Sequence, residues 1–405
     1  MSQRPDGVIP GTSRAAPPLW LIFAVTITGI LANSVLTPNI PDILDEFGRP
    51  SSSAGLLVAA NPLPGVLMAP IIGVLADRYG RRRVLLPCLA VFGIGSVLAA
   101  LAPSYLTLVV ARVFQGLGGA GLINLAVVLI GDHWTGIDRT RLIGRNSAVL
   151  TMTLAITPSI GGLLGEVAGW RWALAIGAVA LPLTVVGHRL LPPDEPDRRQ
   201  GVFGQLRGAA GVLAQPAVLA VMATGVLLFM VVFGVFLTAL PVHLEEAFGL
   251  SAGARGLVLS SFAIGATIAA FNLGALRARF SARTLVVASS LLIAASSAVI
   301  GVASTVVLVV IAFIAYGLGD GAAIPLLQDL IAAAAPTGQR GAMIAAWVSG
   351  VRLGQTLGPL AASALLAVTT TRNTILAGAL AFVVVAIGLM FAPLPDPSDA
   401  SDPAT

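Results

Sequence analysis

Gly73-Val-Leu-Ala-Asp77-Arg78-Tyr-Gly80-Arg81-Arg82-Arg83 packs five charges into a turn between apolar stretches that otherwise carry almost none. A charge held at mid-bilayer costs about 3 kcal/mol on insertion scales, so the turn lies at a membrane face and the stretches beside it span. A worn copy begins at Gly274: Gly274-Ala-Leu276-Arg277-Ala278-Arg279-Phe-Ser281-Ala-Arg283. That echo points to a duplicated chain.

Composition agrees with spanning segments. Of 405 residues, 57% are hydrophobic and 10% charged, with a mean hydropathy of +0.94, a balance that suits a polytopic membrane protein and not a water-soluble core. At roughly 20 residues per crossing, the length accommodates about twelve helices and no large soluble domain. The apolar runs predict an all-α fold with spans at 18–40, 55–76, 84–102, 105–131, 143–165, 171–191, 213–241, 252–275, 284–303, 305–332, 341–368 and 373–392. They group into an N-terminal tail (1–17), a six-helix half (18–191), a linker (192–212), a second six-helix half (213–392) and a C-terminal tail (393–405).

Three landmarks recur at one offset of 201 positions: Gly73 with Gly274, Gly116-Leu-Gly118 with Gly317-Leu-Gly319, and Pro158 with Pro359. Parallel repeats of this kind build transporters that rock one half against the other around a midplane site. Every basic side chain other than histidine is arginine, and with the first span entering from the cytoplasm most arginines fall on one side. Only Arg49, Arg171, Arg255 and Arg372 lie opposite. The positive-inside rule makes the rich side cytoplasmic, so both termini are expected inside a cell membrane.

Other classes are weakly supported. The arginines are scattered over span ends instead of forming a basic, aromatic-interleaved domain, which argues against nucleic-acid binding. Cys88 stands alone and His133, His188 and His243 are far apart, so neither a disulfide framework nor a metal site is expected. Gly116-Leu-Gly118-Gly-Ala-Gly121, with Asp138 downstream, satisfies a dinucleotide fingerprint, but that motif needs a strand before it. Here it falls inside an apolar helix, so an enzyme is not expected. The first run is of span length, lacks a small-residue cleavage site and reads as a retained helix.

The residues resemble a known family at several points. Gly73, Leu75, Asp77, Arg78, Gly80, Arg81 and Arg82 are similar to the loop signature between helices 2 and 3 of the major facilitator superfamily, and the resemblance runs from about Leu19 to Pro393. Arg112-Val-Phe-Gln115-Gly116-Leu-Gly118-Gly119-Ala120 resembles the fourth-helix signature of proton-coupled members. Pro158-Ser-Ile-Gly161-Gly162, followed by Gly165 and Trp170-Arg171-Trp172, resembles the fifth-helix signature of twelve-span drug:proton antiporters, although Thr153 and Thr157 stand where glycines are usual. Leu36-Thr37-Pro38-Asn39-Ile40-Pro41-Asp42-Ile43 also resembles that group. The resemblance implies a proton-coupled exporter of lipophilic or amphipathic molecules, without a cofactor and monomeric. Proton symport of a small metabolite is the alternative.

Individual residues carry definite expectations. Asp77 and Arg78 read as a topology anchor, and the resemblance adds a latch that parts in one access state; the second copy has Ala278 at the acidic position. Arg112 lies deep in the fourth span, as a functional candidate or a hydrogen-bonding hub with Gln115. By resemblance it assists proton release. Asp320 is the only carboxylate at mid-depth, and Arg352 sits at comparable depth on the next helix. Either Asp320 titrates and carries the proton, or the two form a permanent pair. Asn33, Gln115, Asn124, Asn272, Gln328, Trp347 and Gln355 are candidates for a cavity lining or for interhelical hydrogen bonds. Gly116, Gly161, Gly162, Gly165, Gly350, Gly354 and Gly358 read as close-packing positions, and Pro158 and Pro359 as kinks.

Overall fold

The computed structural model describes residues 16–193, 216–334 and 340–391. Most of the expected linker and of both tails lies outside the described residues. The helices are α1 (Leu19–Leu36), α2 (Ile40–Glu46), α3 (Ala54–Ala59), α4 (Gly65–Tyr79), α5 (Arg81–Ala100), α6 (Tyr105–Gly119), α7 (Leu122–His133), α8 (Gly136–Ala168), α9 (Trp170–Ala175), α10 (Ala180–Leu190), α11 (Pro216–Val231), α12 (Leu240–Phe248), α13 (Ala252–Arg277), α14 (Ala282–Val302), α15 (Val306–Ala333), α16 (Arg340–Leu366) and α17 (Thr371–Phe391). Described residues contain no strand, as expected for an all-α fold. Among the described residues, ten helical stretches are long and apolar enough to cross a bilayer. The broken second span and α16 supply the other two positions.

Span starts follow from sequence. Ser104 and Thr107 form a reciprocal cap on α6, while Ser281 and Thr305 accept hydrogen bonds from the first turns of α14 and α15. Gly80 joins α4 to α5 at φ 102°, a conformation that a side chain would strain. The family-like turn therefore needs its second glycine for geometry alone.

Several spans are less regular than their hydropathy suggests. The second breaks over Ala60-Asn61-Pro62-Leu63-Pro64, because two prolines supply no N–H donor. The fourth breaks at Ala120-Gly121, within the fingerprint-like glycines. The first continues past a 3-10 turn at Thr37–Asn39 into α2, beyond its expected end, and the seventh contains a π-helical stretch over Val232–Ala239. Proline 158 and proline 359 lie within the continuous helices α8 and α16.

One large apolar core occupies the second half, built from residues between Val218 and Leu389. The first half holds two smaller cores, one toward each end of the bundle. Val242 of the second half enters the core containing Leu36, Ile40 and Leu57. The halves are thus packed together at the end distant from the arginine-rich turn.

Candidate functional site

That packed end forms a seal. Gly55 at the head of α3 presses on the carbonyl of Pro359, and Gly256 near the head of α13 presses on the carbonyl of Pro158. The two contacts are related by the same 201-position offset as the prolines themselves, so the seal is pseudo-symmetric. A side-chain carbon on either glycine would overlap the opposing oxygen. Gly162 meets Ala252 in the same seam.

Polar contacts reinforce the seal. Arg255, 1% exposed, donates Nε–H to the carbonyl of Pro38 at 2.8 Å and Nη1 to that of Leu250 at 2.9 Å, and pairs through Nη2 with Asp42. Pro41 cannot return a local i+3 hydrogen bond to Pro38, which helps leave that carbonyl available. Glu166 at the end of α8 accepts from Ser251 at 2.8 Å and from the backbone N–H of Gly253 at 2.9 Å. Glu246 accepts from Ser51 at 3.0 Å and from Thr371 at 3.1 Å. Sequence reading counted Arg255 only as one of four arginines on the poor side; the 3-10 turn at Pro38 that receives it has no simple sequence signature.

At the arginine-rich end the hydrogen bonds and ion pairs of the turn lie, among the described residues, within the first half. An added carbon at Gly73, Gly144 or Gly274 would meet nothing within 4 Å. Asp77 pairs with Arg81, whose Nε donates to Asp132 at 2.9 Å, and Arg82 donates to the carbonyl of His188. Arg78 lies over the ring of Tyr79 at 5.5 Å. These contacts tie α4, α5, α7 and α10 of the first half together. Among the described residues, the halves are thus in tight contact at the arginine-poor end, while the contacts of the arginine-rich turn stay within the first half.

Between the two ends lie the intramembrane charges, and they are separated. Arg112 is fully buried, donating to the carbonyl of Ala32 at 2.8 Å and to Gln115 Oε1 at 2.6 Å, with Asn33 Oδ1 on its other nitrogen. Gln115 passes the chain to Ser96 at 2.8 Å. This is the hub arrangement, knitting the first, third and fourth spans; among the described residues no carboxylate lies within 4 Å of Arg112.

Asp320 is 4% exposed on α15 and its Oδ1 has no hydrogen-bond partner, nor has the hydroxyl of Tyr316 one turn earlier. Tyr316 sits in an aromatic cluster with Phe236, Phe262 and Phe313. No ion pair joins Asp320 to Arg352. The latter lies instead against Gly65 of the other half and reaches Gln355 Oε1 at 3.3 Å.

The other expected lining residues divide. Asn33 and Gln355 are half-buried, whereas Asn124, Asn272 and Gln328 are exposed. Trp347 is buried against Gly225. The expected packing glycines meet backbone or side chains closely: Gly116 against Asn61, Gly161 against Val35, Gly165 against Asn39, Gly354 against Val226 and Gly358 against Met230. Asn61 itself, whose amide nitrogen is buried without a partner, was passed over because the helix break around it was not anticipated.

Comparison with known proteins places this architecture. The bacillibactin exporter of Bacillus subtilis is 31% identical over 158 residues, covering 37% of this chain and 39% of that protein. The multidrug efflux pump LfrA of Mycolicibacterium smegmatis is 28% identical over 410 residues, covering 86% of this chain and 81% of that one. The matched region thus spans less than half the length of the exporter and most of the length of LfrA. Among solved structures, a bacterial homolog of the human lysosomal transporter Spinster, in an inward-facing and unoccupied conformation, superposes with a TM-score of 0.80 at 18% identity, over 95% of this chain and 98% of that one. The family model of the Major Facilitator Superfamily matches residues 22–251 and again 222–405. Twelve helical positions in two related halves and matches across both halves establish that this multi-pass membrane protein belongs to the Major Facilitator Superfamily, a family of transporters and not of enzymes.

Proposed function

We propose that the protein exports lipophilic or amphipathic small molecules, driven by the proton gradient and working by alternating access as a monomer. The observation that carries this reading is a buried carboxylate, Asp320, that has no ion-pair partner among the described residues, in a molecule whose halves are tightly joined at the arginine-poor end. With the arginine-rich end cytoplasmic, both termini lie inside and the sealed end faces outward. Cargo enters from the cytoplasm, and reversal of the seal releases it outside. The names of the relatives, an exporter and a multidrug efflux pump, support the outward direction.

In this reading Asp320 holds the transported proton. A buried acid without a fixed counter-ion can change protonation state without first breaking a salt bridge. Arg112 positions the first, third and fourth spans through its neutral partners, and Asp77 with Arg81 and Asp132 stabilises the cargo-admitting form at the cytoplasmic turn. The scarce polar groups in the apolar spans suit cargo that gains affinity from apolar surface.

Proteoliposomes carrying an imposed pH gradient test the proposal. The expected result is substrate movement opposite to proton movement, abolished by a protonophore. Substrate and protons moving together would establish symport uptake instead, and movement indifferent to the pH gradient would remove proton coupling.

A further inference from the structure

We infer that Arg352 recognises an acidic group on the transported molecule, so that the cargo class is lipophilic compounds bearing one carboxylate or similar oxyanion. The inference rests on the export reading and narrows its substrate.

Arg352 is the thirteenth of the 27 residues of α16, about 18 Å along the helix at 1.5 Å per residue and therefore near mid-depth. Its stem crosses the boundary between halves: a carbon on Gly65 would lie 3.2 Å from Arg352 Cδ and 3.3 Å from Nε. Its guanidinium makes a single long hydrogen bond, to Gln355 at 3.3 Å. Among the described residues no carboxylate oxygen comes within 4 Å of it.

The two fully buried arginines behave differently. Arg112 has three oxygen acceptors around it, and Arg255 has two carbonyls and a carboxylate. Guanidinium groups in a bilayer ordinarily find such partners because an uncompensated cation is costly there. Arg352 alone of the three has a single hydrogen-bond acceptor among the described residues, and its side chain keeps partial exposure.

Its surroundings favour an oxyanion. The planar fork suits a two-oxygen acceptor. In the broken part of the second span, four residues before Gly65, Asn61 is 8% exposed and its buried amide nitrogen has no hydrogen-bond partner. Discontinuous helices near the midplane are where transporters of this architecture place their cargo. An anion bound here would contact both halves at once, through Gly65 on one and Arg352 on the other.

Binding to the purified full chain in detergent separates this from the export reading. The probes are 1-pyrenebutyrate, its methyl ester and 1-pyrenebutylamine, which share an apolar body and differ in charge. Wild type is expected to bind the acid at least about tenfold more tightly than the ester, a factor typical of one charge-assisted hydrogen-bonded contact. Arg352→Gln should lose that preference while keeping ester binding, and Arg352→Lys should retain part of it. Equal wild-type binding of all three probes, or an undiminished acid preference in Arg352→Gln, would overturn the inference. The wild-type comparison needs no variant, so poor folding of Arg352→Gln cannot shield it. Acid-selective binding without transport in vesicles supports the site and counts against export.

Discussion

Gly256 of one half approaches Pro158 of the other so closely that the proline carbonyl fills the space a side-chain carbon would need. The same relationship holds between Gly55 and Pro359. The seal is therefore built on backbone contact, where neither partner can yield by changing a rotamer.

Gly256→Ala should force that seam apart. Overpacking of a tight contact costs about 1–3 kcal/mol, enough to shift the balance between access states roughly five- to 150-fold. Site-directed labelling on a Cys88→Ser background, which removes the sole native cysteine, should find positions near Ser159 and Ser260 newly reactive. Transport should fall while membrane insertion is unchanged. Labelling identical to the parent would show that the seam tolerates the methyl group.

Arg255→Gln should open the same end by another route. Its guanidinium is 1% exposed, whereas the Asp42 side chain is 47% exposed, so the cost of losing the arginine falls on buried partners. Arg255→Gln leaves the carbonyls of Pro38 and Leu250 without their donor, at about 1–3 kcal/mol for each unsatisfied buried group, while Asp42→Asn keeps both of those hydrogen bonds and leaves a side chain that water can satisfy. Double electron–electron resonance across the seal should record a larger displacement for Arg255→Gln than for Asp42→Asn. Equal responses would remove the special position of the arginine.

Asp77→Asn should leave thermal stability almost unchanged and slow transport. The Asp77 side chain is 51% exposed, and an exposed pair four residues apart on a helix contributes only about 0.3–0.5 kcal/mol. Any large effect must then come from the switch between states. A variant with normal transport rate and normal accessibility at both ends would eliminate the latch.

Asp320→Asn should uncouple transport from the pH gradient and preserve counterflow exchange of substrate. The isosteric amide keeps the shape of the site and removes the titrating group. Vesicle assays with internal and external pH varied separately will distinguish this from collapse of the fold, which would abolish exchange too. Full coupling in the variant would assign the proton to another residue.

The fold was legible because membrane helices declare themselves by length and hydropathy, and because the offset of 201 positions exposed the duplication. The charged turn at Gly73 located a membrane face from five residues. Less legible were the interruptions: Asn61, Pro62 and Pro64 lie within an apolar run that is long enough to read as one span. The seal was invisible for a different reason. Arg255 finds Pro38 and Asp42 more than 200 positions away in sequence, and nothing local marks that partnership. Asp320 was found by depth, and Arg112 by depth and by its place in a family-like signature; depth marks cost but not company, and the structure supplied the neutral partners of Arg112 and the unpartnered Oδ1 of Asp320.

The break in the second span has a mechanical consequence. A continuous α-helix acts as a rod, and any tilt at the charged turn would be delivered undiminished to the Gly55 contact at its far end. Two short rods joined at Asn61–Pro64 act as a crank instead: α4 can swing with the turn while α3 stays seated on Pro359. Such a joint would let one mouth of the molecule begin to narrow before the other lets go.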